Sequence, residues 1–549
     1  MRVRLAVLAA ACGAAGLEAR AQPQAWPLMQ AQAQGPRQLP AWEPTPAWEE
    51  MQAAEPEQTP PREPTPRQAL QQPATLAIEA GMAATSNGAL SPSGQERADV
   101  IASVRPRFAW VRRGPRLHVD VAAALGYTAS AEGTQSDSVR PELRAFVRSE
   151  LVERLFYVDG GIQVGQAEVT PYGTRVDDLS SANRRTATSF RVSPYLWRDL
   201  SEDSFVLARQ DVASSNNGSG TAGRLLSTRS LLRYERRPAP WGVGAEISRL
   251  DNEFHGSGGS RISVDTLRAT GSLALRSRMV VTGVAGLDRS DFAGRSHTDP
   301  LYGVRLRWLP GPRTLLDASV EQRFFGTGGS LMVRHRTPFM SFSVSLRRGP
   351  ASISSTLGQV DEESDLRPFL DAILTTRYPD PSSRQGLVQT LVGDRALDVR
   401  LPSAVDSVAG YPQLSTGAKA TWALLDRRNT GALTLYTQTL RQLTHSDDPA
   451  VPATSLSDNR QSGVSLQLAR RLTPLLTADA YLRWSKITGL AGRAGETSQE
   501  VIERVTINRA LSPRTGLAAG VQHNRFTSTA TGQHDYRAML VFVALRHRF

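Results

Sequence analysis

Met539-Leu-Val-Phe-Val-Ala-Leu-Arg-His-Arg-Phe549 closes the chain, and its alternate residues Met539, Val541, Val543 and Leu545 are apolar up to a terminal Phe549. A period of two over this length predicts a β-strand with one apolar face. With Val541, Val543 and Leu545 leading into Phe549, the strand reads as the sorting and assembly signal of an outer-membrane β-barrel. A barrel can span lipid because every backbone N–H and C=O pairs with a neighbouring strand and closure leaves no open edge. The rest of the chain is then expected to repeat the same strand logic.

The other end of the chain points the same way. Met1-Arg-Val-Arg4 supplies a positive n-region, Leu5 to Leu17 an apolar h-region, and Ala19-Arg-Ala21 a cleavage site, so residues 1–21 read as a signal peptide. Cys12, the only cysteine, falls inside that segment, which leaves the mature chain without a thiol or disulfide. After Leu17 there is no apolar run of about 18 residues, so helical membrane spans are excluded. Strands of about 10 alternating residues escape hydropathy averaging, and a mean hydropathy of -0.31 is compatible with them.

Alternation recurs along the chain. Leu117, Val119, Val121, Ala123, Leu125 and Tyr127 interleave with His118, Asp120 and small residues. Tyr302, Val304, Leu306 and Trp308 interleave with Gly303, Arg305 and Arg307, and Met340, Phe342, Val344 and Leu346 with serines and Arg347. Val464, Leu466 and Leu468, then Ala478, Ala480, Leu482 and Trp484, follow the same rule, the last group interleaved with Asp479, Tyr481 and Arg483. A soluble β-sandwich shows this period too. The length of the strands, the charge on their polar face and the terminal Phe549 argue against it.

Ten short Arg/Pro/Gly-rich connectors read as tight turns: 112–116, 152–154, 199–203, 236–240, 276–278, 310–313, 347–350, 426–428, 471–474 and 512–514. Longer polar stretches such as 214–223, 254–260 and 444–458 lie between them. Short periplasmic turns alternating with longer extracellular loops are the mark of outer-membrane barrels. Ten tight turns predict an all-β antiparallel barrel of about 22 strands (20 to 24) over residues 75–549, with both ends in the periplasm.

Residues 22–74 differ in kind, with 12 prolines, 11 glutamines and the repeat Glu43-Pro-Thr-Pro46 and Glu63-Pro-Thr-Pro66. This composition predicts a disordered, partly polyproline periplasmic tether. It is either a plain linker or a tether that engages a periplasmic partner, with Trp26, Trp42 and Trp48 as anchors. Of the net charge of +12, the signal segment carries +2 and the tether -3, which leaves +13 on the barrel. Inward Arg305, Arg307 and Arg483, with Asp479 among them, would line the lumen with a positive field that favours anions. Nucleic acid is a poor partner for an exported chain of this architecture. Outer-membrane lipid, lipopolysaccharide and the barrel assembly machinery are the expected surroundings.

Alternation stops over residues 361–410. Leu366, Phe369, Leu370, Ile373 and Leu374 fall at i, i+3, i+4, i+7 and i+8, one apolar helical face. Ser364 or Pro368 suits its start, and Tyr378-Pro-Asp-Pro381 its end. Ser383 to Val392 reads as a second short helix. By parity the insert leaves from the extracellular side, and it is expected either to fill the lumen as a plug or to cover the mouth as a cap.

Several stretches resemble one family. Asn87-Gly-Ala-Leu-Ser-Pro92, Asp99-Val-Ile-Ala-Ser-Val-Arg-Pro106, Glu150-Leu-Val-Glu-Arg-Leu-Phe-Tyr-Val-Asp159, Val169-Thr-Pro-Tyr-Gly173, Leu370-Asp-Ala-Ile-Leu-Thr-Thr-Arg-Tyr-Pro-Asp-Pro381 and Arg428-Asn-Thr-Gly-Ala-Leu-Thr-Leu435 look like the outer-membrane β-barrel proteins associated with PEP-CTERM and exosortase systems. The resemblance implies a porin-like barrel in the outer membrane of a Gram-negative bacterium, linked to exopolysaccharide production or export. It carries over no catalytic residue.

An enzyme is not expected. The eight histidines are scattered with no zinc-binding pair, Gly218-Ser-Gly220 lacks nucleophile-elbow spacing, and Asp361-Glu-Glu363 reads as solvated charge. The expectation is a barrel with no catalytic residue, cofactor or metal. Its role is a porin-like or gated component of surface-polymer export, a diffusion porin for small anions, or a non-conducting anchor for surface molecules.

Overall fold

The computed structural model describes residues 74–175, 183–216, 224–255, 260–292, 295–351, 365–394, 399–403, 412–443 and 458–549. The signal segment, the Pro/Gln-rich tether, Ser364, the acidic triplet Asp361–Glu363 and most of residues 444–458 lie outside them.

Twenty-two antiparallel strands form one sheet in which each strand pairs with its neighbours in sequence and the first pairs with the last. The strands are β1 (Thr75–Thr85), β2 (Asp99–Arg113), β3 (Leu117–Ser130), β4 (Ser138–Val152), β5 (Phe156–Glu168), β6 (Arg184–Asp199), β7 (Ser204–Asn216) and β8 (Arg224–Arg236). They continue as β9 (Trp241–His255), β10 (Ser260–Arg276), β11 (Met279–Phe292), β12 (Arg295–Gly311), β13 (Thr314–Arg323), β14 (Gly326–Arg336), β15 (Met340–Pro350) and β16 (Gln413–Leu425). The ring ends with β17 (Asn429–Gln442), β18 (Asn459–Thr473), β19 (Leu476–Gly489), β20 (Thr497–Ala510), β21 (Thr515–Ser528) and β22 (Tyr536–Arg548). Two helices interrupt it between β15 and β16: α1 (Arg367–Leu374) and α2 (Pro381–Asp394).

The outward positions are those the alternation assigns. Tyr302, Val304 and Trp308 of β12, Val505 and Ile507 of β20, and Met539, Val541, Val543 and Leu545 of β22 are all exposed. On β12 the run from Tyr302 to Trp308 has an aromatic ring at each end, and exposed Trp241, Trp308 and Trp422 all lie near the end of the barrel that holds the chain termini. An apolar band edged by aromatic girdles is the lipid-facing surface of an outer-membrane barrel. The protein is an outer-membrane β-barrel.

The seam between β1 and β22 runs from Ala77 opposite Arg548 to Thr85 opposite Leu540. Phe549 extends it, its N–H donating to the Leu76 carbonyl at 2.9 Å, while its ring meets His547 edge-on at 4.9 Å. Phe549 therefore stands at the last joint to close. Deleting it is expected to lower the amount of heat-modifiable barrel recovered from outer membranes several-fold; unchanged levels would remove the reading of the C-terminus as an assembly signal.

Ten connections of two to four residues lie at the terminal end, and eleven of two to 62 residues at the other. The terminal end is read as periplasmic on this asymmetry. Nine of the expected tight turns lie where the Arg/Pro/Gly connectors placed them. The tenth does not. Arg347-Arg-Gly-Pro350 is the far end of β15, where Arg347 pairs with Gly417 and Pro350 with Leu414. The turn sits instead at Thr337–Phe339, where the Thr337 hydroxyl accepts the N–H groups of Phe339 at 3.3 Å and Met340 at 3.1 Å. Gly-Pro is a turn signal, but proline also fits a strand end, where no ladder bond needs its missing N–H. The strand count survives because one turn replaces the other.

Candidate functional site

The inner face of the barrel is filled unevenly. From β4 round to β13 it carries interlocked ion pairs. Arg148 binds Asp159 at 3.1 Å, and Arg209 lies 3.6 Å from Asp159 and 3.0 Å from Asp211. Farther on, Arg233 binds Glu246, and Glu321 takes Arg268 at 2.9 Å and Arg305 at 2.7 Å. These carboxylates and Arg209, Arg233 and Arg268 are buried, so charge-assisted contacts run along this stretch of the inner wall.

The two helices lie inside the barrel. Leu366, Phe369, Leu370, Ile373 and Leu374 form one buried cluster with Val388, Leu401, Ala423, Leu425, Ala432 and Ala469. The last four residues belong to β16, β17 and β18 and sit near the ends that meet the terminal-side turns. The chain thus enters from the loop side and carries its helices down to the terminal end, where the Arg377 guanidinium lies 4.8 Å from the ring centre of Phe339 in the β14–β15 turn. Asp365, which the sequence reading passed over in favour of Ser364 or Pro368, caps the start of α1 by accepting the Arg367 N–H at 2.8 Å. Its carboxylate also grips the Arg367 side chain, which holds that guanidinium's pKa above its ordinary value. Arg384, fully buried, ties the helices together by donating to Asp371 at 2.7 Å and to the Tyr378 and Pro379 carbonyls at 3.1 Å. Asp365 and Arg367 at the start of the hairpin, Arg400 after it and Arg144 of β4 line one cavity.

Beside the hairpin lies a cavity of about 2180 Å3, lined chiefly by β1–β5 and β19–β22, with residues of β6, β7, β13–β15, β17 and β18 completing the wall. Pro474, Leu475 and Ser512 to Arg514, all at the terminal-side rim, line one end of it. At the other end the β5–β6 loop folds inward and closes it. The Thr174 hydroxyl and the Arg175 N–H donate to Glu500 at 2.8 and 2.9 Å, and the Arg175 side chain donates to Gln461 of β18 at 3.0 Å. Asn183 staples the loop base, its Oδ1 accepting the Thr170 N–H at 2.9 Å. Gly173 is required there, since a Cβ would lie 2.4 Å from the Asn183 side chain. Leu90 of the β1–β2 loop packs beside this closure on Tyr536, Ala538 and Leu540, and Phe324 and Phe325 pack on Leu443 farther round. Described residues of the β5–β6 loop thus cross the chamber on its loop side, and residues of the terminal-side rim line its other end.

Glu500 has a second contact, with Arg483 at 2.8 Å, so one buried carboxylate holds both the wall and the loop. Removing a buried charge partner costs roughly 3–5 kcal/mol, and 1.4 kcal/mol is tenfold in an equilibrium. Glu500→Ala is therefore expected to raise tryptic cleavage after Arg175 in the folded protein by about a hundredfold or more. Cleavage at the wild-type rate would mean that other contacts hold the loop.

The sequence-derived lumen residues fall into two places. Asp479 and Arg483 line the chamber, whereas Arg305 and Arg307 lie outside its lining. Neither Arg305 nor Arg483 presents open charge, because Glu321 and Glu500 take them; Arg307 stands cross-strand from Asp317, and Asp479 accepts from Asn508 at 2.7 Å. The positive field comes instead from residues the sequence reading did not single out. The chamber lining holds twenty arginines, eight carboxylates and no lysine. Strand parity alone would have found many of them, for example Arg144 on β4 and Arg546 on β22.

No protein-family model matches the chain, and no curated protein matches it. Among solved structures it is similar to the siderophore receptor PirA from Acinetobacter baumannii, at 9% identity and a TM-score of 0.41, over 87% of this chain and 80% of that one. It is also similar to OccK2 (OpdF) from Pseudomonas aeruginosa, at 12% identity and a TM-score of 0.33, over 88% of this chain and 100% of that one. The ferric citrate transporter FecA in its unliganded form is 11% identical, with a TM-score of 0.37, over 86% of this chain and 78% of that one.

Proposed function

We propose that this barrel is a gated conduit for export across the outer membrane, closed at rest, and that its cargo is a surface polymer of the exopolysaccharide class. One observation carries the reading: a chamber lined at one end by the terminal-side rim is crossed on its loop side by an inward-folded loop, with a helical hairpin beside it. A porin for free diffusion needs a continuous aqueous path through the lumen. An anchor with no transport role needs no chamber. A chamber entered from the periplasm and sealed toward the exterior suits a component that opens when its cargo or a partner engages it. The hairpin is then a plug rather than a cap, and the N-terminal segment is the part proposed to engage periplasmic export partners.

The test is single-channel recording of the folded, full-length protein in a planar bilayer. The expected record is a closed baseline with rare, anion-preferring openings. A steady open pore would overturn gated export in favour of the second reading, diffusion of small anions through an arginine-rich lumen.

A further inference from the structure

We infer that the chamber is a binding site for a linear glycan that bears carboxylates at intervals, an inference that rests on the conduit reading and names its cargo. Size is the first argument. At about 2180 Å3 the chamber exceeds the roughly 300–1,000 Å3 of small-molecule pockets, so it suits an extended segment better than a single small molecule.

The second argument is the kind of charge. The cationic lining is arginine throughout, including Arg144, Arg367, Arg400, Arg504, Arg546 and Arg548. Arginine's planar fork matches a carboxylate with two parallel hydrogen bonds, which a lysine cannot offer.

The third argument is pattern. Eight carboxylates, among them Glu79, Asp120, Glu142 and Asp479, are interspersed with the arginines. A chain with charge on every unit, such as polyphosphate, meets repulsion at those points. A chain whose carboxylates are separated by neutral hydroxylated units can place charge on arginine and hydroxyls on the wall carboxylates. Between the charges the wall is bare, with Ala77, Gly81, Ala122, Ala124, Gly161 and Ala544 lining it, which leaves width for a sugar ring. Tyr481, Tyr436 and Phe542 in the same lining supply flat surfaces of the kind sugar rings pack on.

The experiment is calorimetric titration of the folded full-length protein in detergent micelles with hyaluronan oligosaccharides, in which a carboxylate-bearing sugar alternates with a neutral one, neutral dextran of matched length, and polyphosphate. The hyaluronan oligosaccharides are expected to bind saturably, more weakly as salt rises, with dextran silent and polyphosphate at least tenfold weaker. Arg144→Gln and Arg504→Gln are each expected to weaken binding about tenfold, the scale of one charge-assisted hydrogen bond. Arg289→Gln, on the exposed outer face of β11, is expected to leave it unchanged. Heat-modifiable mobility checks that each variant is folded. The inference is overturned by no saturable binding, by equal binding of dextran or polyphosphate, or by affinity indifferent to both chamber variants. Binding is read on the closed protein, so it stands or falls apart from the conductance that tests the conduit.

Discussion

Deleting residues 361–410 and joining β15 to β16 with a short Gly/Ser linker is expected to give a folded barrel that conducts steadily where the intact protein is closed. The hairpin is held by its own apolar face. Phe369, Leu370, Ile373 and Leu374 are buried against it, and burying such a side chain contributes about 1.5–3 kcal/mol. That sum keeps the hairpin inside the barrel at rest. Its seat on the wall is small, with Ala423, Ala432 and Ala469 beside the single larger Leu425, so removal uncovers little apolar surface and the strand ladders stay intact. The remaining chamber arginines should give the opened pore an anion preference. Conductance and reversal potential in a salt gradient measure both. A folded deletion variant that stays as closed as the intact protein would show that the inward loops, tied by Glu500 and Leu90, are the barrier by themselves.

Glu321→Ala is expected to be the most destabilising single substitution in the lumen. Glu321 is 1% exposed and is held by both Arg268 and Arg305, with Arg268 otherwise 3.8 Å from Glu246. Its loss leaves two guanidinium groups beside each other, Arg268 buried and Arg305 only partly exposed, at a cost of about 3–5 kcal/mol. The comparison is Glu153→Ala, which breaks the exposed pair with Arg116 and should cost less than about 1 kcal/mol. Urea unfolding followed by loss of heat-modifiable mobility reads both. Equal midpoints for the two variants would mean that the lumen pairs are solvated and contribute no more than surface pairs.

The architecture was legible in the chain because its determinants are local. Alternation at Tyr302–Trp308 or Met539–Leu545 follows from the two-residue period of a strand, and a closed sheet turns that period into inside and outside with no further information. The helical face from Leu366 to Leu374 was legible for the same reason at a different period. The misplaced turn at Arg347–Pro350 shows the limit of local signals. Arg-Gly-Pro fits a turn or a strand end, and pairing with Gly417 and Leu414 decided between them.

What only the tertiary structure decided is where the ends of those elements go. Arg175 and Glu500 are 325 residues apart, and no period or spacing links them. Phe369 and Ala469 meet because closure of a 22-strand ring brings the loop-side insert down onto the inner wall near the terminal end. Sequence by itself determined that inward positions would be charged. Register between neighbouring strands determined which charges cancel, as at Arg305 with Glu321 and Arg483 with Glu500, and barrel closure determined which line the chamber. A charge's worth depends on its neighbours in space, and those are set by strand register, as for Arg305 and Glu321, and by the inward fold of a loop, as where the Arg175 N–H reaches Glu500.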